Sequence, residues 1–208
     1  QDEYQRHREQ LQRQVGVLHD YLHQQLLTVQ RALNTVRSEL MPWAAAASPQ
    51  DWAAINQHLS TLVTHIAPIE TMHVLDAQGR VLASSLPHLV GQPLPTFAHY
   101  QDALQGSAPD TLHVFPPQPN LPGHRTLPLA LVVWDAQGQP AGMVLTSITL
   151  EQARSLFASV LHTSDTLIAV MHHNGDVGMA VPDGLGLPSQ NLHTPEPDNL
   201  FVRHVRSG

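Results

Sequence analysis

Leu75-Asp76-Ala77-Gln78-Gly79-Arg80-Val81-Leu82-Ala83 carries an apolar alternation into a Gly-containing turn and out again as a second strand. The unit returns as Trp134-Asp135-Ala136-Gln137-Gly138-Gln139-Pro140-Ala141-Gly142, and more loosely as Met171-His172-His173-Asn174-Gly175-Asp176. In such a turn the Asp or Asn side chain accepts main-chain hydrogen bonds, and the Gly supplies a backbone conformation that side chains resist. Repeated hairpins with helix-spaced segments between them predict a small α+β module and not a catalytic scaffold. Asp76 and Asp135 are accounted for as turn residues, which removes them as a catalytic carboxylate pair.

Apolar residues Leu11, Val15, Leu18, Leu22, Leu26, Val29, Leu33, Val36 and Leu40 recur at spacings of three and four. They form one stripe of an amphipathic helix over about 2–41, ended by Pro42. A helix of that length extends roughly 60 Å, longer than a small domain is wide. Ser48-Pro49-Gln50-Asp51 opens a second helix, with Trp52, Ile55, Leu59, Leu62 and Ile66 on one face and Pro68 closing it. Strands are expected at 69–76, 79–85 and 112–115, with a helical segment at 95–105 ended by Gly106. The proline-rich stretch 116–123 reads as an irregular loop. Thr126 to Trp134 is apolar on both faces and reads as a central strand, in which Pro128 demands a bulge or a late start. Its return strand, Ala141 to Thr149, leads into a helix burying Ala153, Leu156, Phe157 and Val160. A last strand pair is expected at 167–172 and 176–181, with a further strand possible at 200–205. The expected sheet of the main module has five strands.

Composition narrows the function. The chain has 208 residues, enough for a substantial core in one or two domains. Its net charge of −7, with ten arginines and no lysine, argues against a nucleic-acid partner, which needs a basic stripe. Without cysteine there is no disulfide and no thiolate chemistry. The longest strongly apolar run, Leu127 to Trp134, is too short to span a bilayer, so the chain as given is expected to be soluble. No signal peptide is visible at Gln1.

The segment Ile69 to Leu161 resembles the membrane-distal half of the double Cache family, the PAS-like extracytoplasmic sensors also called PDC domains. The resemblance lies in the order of the Asp76–Gly79 turn, Ser84-Ser85, Val90-Gly91-Gln92 and Tyr100-Gln101-Asp102-Ala103-Leu104, then the Asp135–Gly138 turn, Gly142-Met143-Val144-Leu145 and Ser147-Ile148-Thr149-Leu150. It implies three parts: a long signalling helix (1–41), a membrane-distal PAS-like module (42–162) and an abbreviated membrane-proximal module (163–208). It also implies a periplasmic domain of an inner-membrane receptor, with flanking transmembrane helices and a diguanylate cyclase or histidine kinase output outside this chain. Under that reading the chain binds a small molecule, pairs as a homodimer through the long helix, and is neither an enzyme nor a cofactor carrier. The alternative is a structural, dimerising module with a vestigial pocket.

Where amino-acid-binding members of that family usually carry an Arg and an aromatic, this chain has Phe97 and His99, so the resemblance implies that the carboxylate anchor is missing. The expected ligand-binding residues are Phe97, His99, Tyr100, His113, Arg125 and Trp134. Phe97 and Tyr100 equally suit packing of the segment onto the sheet. Arg125 suits either an anionic ligand or a surface loop, and Trp134 suits core or pocket wall. His73, like His113, could face the ligand side of the sheet or serve as a plain strand residue. His19 and His23 have metal-ligand spacing, but two ligands do not close a zinc site, so no metal is expected. No nucleophile constellation and no phosphate loop is present, and no catalytic residue is assigned.

Overall fold

The computed structural model describes residues 2–40, 49–105, 108–121, 124–160 and 167–182. Pro42, Ser48, Gly106, Thr163 and the segment 183–208, with the strand expected at 200–205, lie outside them.

The long stripe folds as helix α1, Asp2–Leu40, with Asp2 and Glu3 in its first turn and Arg37 in its last. Both ends therefore complement the helix dipole. Leu18, Val29, Leu33, Val36 and Leu40 are buried as expected. Val15 is not: it is 54% exposed, and its neighbour Val17 is 56% exposed. Helical spacing fixes a face, but burial also needs a partner opposite that turn, and among the described residues none covers Val15. Helix α2, Pro49–His65, buries Ile55 and Leu59.

The strands are β1 (Ile69–Asp76), β2 (Val81–Ser84), β3 (His113–Val114), β4 (Gln118–Leu121), β5 (His124–Trp134) and β6 (Pro140–Thr149). They form one antiparallel sheet in the order β2-β1-β6-β5-β3, with β4 also pairing β5. It thus has six strands instead of five, because the proline-rich stretch supplies β4. Pro119 lies opposite Arg125 there, in an edge strand whose outer side needs no donor. Pro128 is accommodated without a late start to β5. Its carbonyl accepts the Phe115 N–H at 3.0 Å, just past the end of β3, so the missing N–H falls where the neighbouring strand has already broken off. The expected helix at 95–105 is two short 3₁₀ turns, Phe97–His99 and Gln101–Leu104.

The chain divides into two compact units. The first comprises residues 27–115 and 127–149: the C-terminal part of α1, α2 and most of the sheet. Here α2 lies against β1 and β2, and the Asn56 side-chain oxygen accepts the Ser84 N–H at 2.7 Å. Arg37 bonds Asn34, the Pro109 carbonyl and the Asp110 carboxylate, the last at 2.6 Å.

The second unit contains residues 1–26, 116–126 and 150–208. Its described core joins Leu18 of α1 to helix α3 (Glu151–Val160) and to the hairpin β7 (Ile168–Met171) and β8 (Val177–Val181), through Leu150, Ala153, Phe157, Met179 and Val181. After Leu18, the next residue of this core is Leu150, so α3 groups with the last hairpin. The Gln14 amide donates to the Val160 carbonyl at 3.0 Å and so satisfies an acceptor at the end of α3. The third turn forms as expected, with Gly175 at φ 95° and the His172 N–H on the Asp176 carbonyl at 2.9 Å. Among the described residues no helix is long and apolar enough to cross a membrane.

Candidate functional site

α2 packs on β1 and β2 of the main sheet; the candidate site is built on the sheet positions that follow. Residues directly opposite in an antiparallel pair share a face, and alternate residues along a strand return to it. Leu75 lies opposite Met143 and Val81, His73 opposite Leu145 and Ser84, Thr71 opposite Ser147, and His113 opposite Ala130. These positions therefore share one surface. Its apolar centre is Leu75, Val81, Ala130, Met143 and Leu145, all buried together with Tyr100.

The segment after β2 supplies the cover: Leu89, Val90, Leu94, Phe97 and Leu104 pack against this centre, as does Phe115 just beyond β3. Phe97 reaches it because its ring lies over Gly79, where any Cβ would overlap it. Gly79, at φ 81°, is thus needed twice, for the turn and for the ring above it. The Leu94 N–H bonds the Gly79 carbonyl at 2.9 Å and holds the segment in place. Tyr100 and Phe115 meet edge to face with ring centres 4.8 Å apart, and the His113 ring stacks on Phe115 at 6.2 Å. Such pairs add to the stabilisation from burial.

Three of the six expected site residues, Phe97, Tyr100 and His113, thus belong to this face and its cover. Phe97 is half-buried on the apolar centre, and Tyr100 is 5% exposed. Burial raises the Tyr100 pKa, while a hydrogen bond with Thr96 works the other way, and the phenol stays neutral. His113 is half-buried, with Nε2 fully covered and without a partner among the described residues. Burial lowers its pKa. His99 is solvent-exposed, its ring edge-on to Tyr100 at 6.2 Å.

Trp134 closes β5 beside the second turn, half-buried, its indole N–H covered and without a partner among the described residues. Arg125 belongs to the second unit. There its guanidinium donates to the Pro117 carbonyl at 2.9 Å and to the Val177 carbonyl at 3.2 Å, so it ties main chain together.

The expected set omitted the His73–Ser84 pair on this face and the aromatic Phe115. His73 is buried, its Nδ1 2.7 Å from Ser84 Oγ. Desolvation lowers its pKa to about 4, so the imidazole is neutral at ordinary pH. Phe115 stands two residues beyond His113, and strand alternation alone could have found it. No Arg, Asp or Glu occupies the sheet positions of this face among the described residues.

No family model matches the chain, and no curated protein matches it. Solved structures do. The sensor domain of the V. cholerae histidine kinase DctB aligns with a TM-score of 0.55 at 16% identity, over 97% of this chain and 74% of that one. The sensory domain of the Campylobacter jejuni chemoreceptor Tlp3, with isoleucine bound, gives 0.62 at 13% identity, over 94% and 77%. The ligand-binding domain of the Pseudomonas aeruginosa amino-acid chemoreceptor PctC, in complex with GABA, gives 0.59 at 21%, over 85% and 75%. These likenesses agree with the resemblance read from the turns, and what they establish is architecture: the chain has the PAS-like, Cache-type fold of bacterial extracellular sensor domains.

Proposed function

We propose that this chain is the extracytoplasmic, ligand-sensing part of a transmembrane signalling receptor and is not itself an enzyme. The observation that carries the reading is the neutral sheet face under Phe97, Tyr100 and Phe115, with His113 Nε2, covered and without a partner among the described residues, at its side. An apolar surface with a few oriented polar groups is what a small-molecule site requires. The same fold holds isoleucine in Tlp3 and GABA in PctC. The reading places the chain in the periplasm, between transmembrane helices that lie outside it. It assigns a diguanylate cyclase or histidine kinase as output, and pairing of two copies along α1. Support for the pairing comes from Tyr4, Val15 and Val17, apolar side chains exposed on α1.

A thermal-shift screen of this chain against small metabolites tests the sensing role. A stabilising compound should lose its effect when Tyr100 is replaced by Ala, provided the variant folds. Sedimentation of Val15→Asp with Val17→Asp tests the pairing without touching the core. The rival reading, a structural module with a filled pocket, draws on the close packing of Leu75, Val81, Ala130 and Met143. It predicts no stabilising compound and unchanged receptor output when Tyr100 is replaced.

A further inference from the structure

We propose that the ligand of this face is an uncharged molecule with a flat apolar body and a hydrogen-bonding group, oriented by His73 with its partner Ser84 on one side of the sheet or by His113 on the other. This rests on the sensing role proposed above and names the class of ligand that role would take.

The first argument is what the face lacks. Its sheet positions are Thr71, His73, Leu75, Val81, Ser84, His113, Ala130, Met143, Leu145 and Ser147, with no formal charge among them. A carboxylate or ammonium group buried here would lose its water and meet no countercharge from these sheet positions, a penalty of several kcal/mol. A carbonyl, amide or hydroxyl loses far less and regains it from one good hydrogen bond.

The second argument is what the face offers. Ser84 Oγ accepts the Leu86 N–H at 2.8 Å and lies 2.7 Å from His73 Nδ1. The hydroxyl proton is satisfied when it points at Nδ1, which makes Nδ1 the acceptor and leaves the ring proton on Nε2. His73 then presents one N–H donor from the same surface as Leu75 and Leu145. Across the sheet, His113 Nε2 is covered and has no partner among the described residues. A buried polar atom left unpaired is costly, and a ligand that pairs it regains that cost on binding. Desolvation keeps both imidazoles neutral, so neither replaces a missing cationic anchor. Phe97, Tyr100 and Phe115 are the rings on which a flat body would lie.

The test uses this chain and a compound panel split between uncharged aromatics, led by nicotinamide, indole and benzyl alcohol, and carboxylates, led by L-isoleucine, γ-aminobutyrate and succinate. Thermal shift identifies binders, calorimetry gives Kd, and ¹⁵N NMR of histidine-labelled protein reads the ring nitrogens of His73 and His113 in the wild type. Uncharged compounds are expected to bind and to move the ring signal of His73 or of His113, which stand on strands separated by β6 and β5. The variant on the side whose ring moves, Ser84→Ala or His113→Phe, verified by circular dichroism, should weaken them by about tenfold. The ring signals keep the test decisive should a variant fail to fold. Binding confined to carboxylates overturns the ligand class and leaves the sensing role standing. Uncharged binders that leave both histidine rings unmoved overturn the site. Silence from both halves of the panel overturns the sensing role together with this proposal.

Discussion

Asp76-Ala77-Gln78-Gly79 and Asp135-Ala136-Gln137-Gly138 fold alike down to their hydrogen bonds. Asp76 Oδ1 accepts the N–H of Gln78 and Arg80, both at 2.9 Å, and Asp135 Oδ1 accepts those of Gln137 and Gln139 at 2.9 and 2.8 Å. Gly79 and Gly138 both have positive φ, 81° and 74°. Their surroundings differ. Around Gly138 nothing lies within 4 Å of where a side chain would start, whereas the ring of Phe97 sits over Gly79. Three residues upstream, the first hairpin has buried His73 where the second has Val132. Local chemistry makes the turn. Neighbours brought from elsewhere in the chain make one of the two copies part of a site.

The largest effect should come from the two glycines. Gly138→Ala carries only backbone strain, about 1–2 kcal/mol. Gly79→Ala adds the overlap with Phe97, for a total of about 4 kcal/mol. Urea unfolding followed by tryptophan fluorescence reads both, since Trp52 and Trp134 lie in this unit. In a Phe97→Ala background the cost of Gly79→Ala should fall to that of Gly138→Ala; a cost that stays high would break the distinction.

Next in size is the acid response of the first hairpin. The folded His73 pKa is about 4 against 6.5 ordinarily. Between those values the unfolded chain binds a proton that the folded chain refuses. Stability therefore falls as pH drops from about 6.5 to 4, by roughly 3 kcal/mol from this group, and the contribution is complete above that window. Urea midpoints at pH 7.5, 6, 5 and 4 should slope less in His73→Gln than in wild type. Equal slopes would mean that His73 is not desolvated as its position requires.

The smallest effect tests the likeness itself. Asp76→Ala and Asp135→Ala each remove two exposed main-chain hydrogen bonds and should each cost about 1 kcal/mol. Costs differing by more than about 1 kcal/mol, measured by the same melts, would show that the turns are not equivalent even locally.

Much of this was legible in the residues. Both Asp-Ala-Gln-Gly turns, α1, and the strands on either side of each turn follow from alternation and turn chemistry, which act over a few residues. β4 was not legible, because Pro116, Pro117, Pro119 and Pro122 read as loop until β5 is seen to accept Pro119 at its edge. Nor was the pairing of His73 with Ser84, because the register slips between Val74 and Leu75 and shifts which residue lies opposite. Arg125 was ambiguous for a similar reason: its acceptors are eight and fifty-two residues away. Within the candidate site, Phe97 and Tyr100 of the aromatic cover were readable from family order, and Phe115 was not picked out. The neutrality of the face emerged only when the strands were in register.

The margins of the main sheet carry a consequence for how this protein behaves in company. On one side β2 has four residues, and Val81 exchanges main-chain hydrogen bonds with Gln92 and Gly91 at 2.9 and 2.8 Å. On the other, β3 is two residues long and β4 is interrupted by Pro119. A sheet grows into a fibre by recruiting another backbone along a long, unbroken edge. Among the described residues this one ends in fragments, so copies crowded side by side have no extended template from which aggregation by strand addition could start.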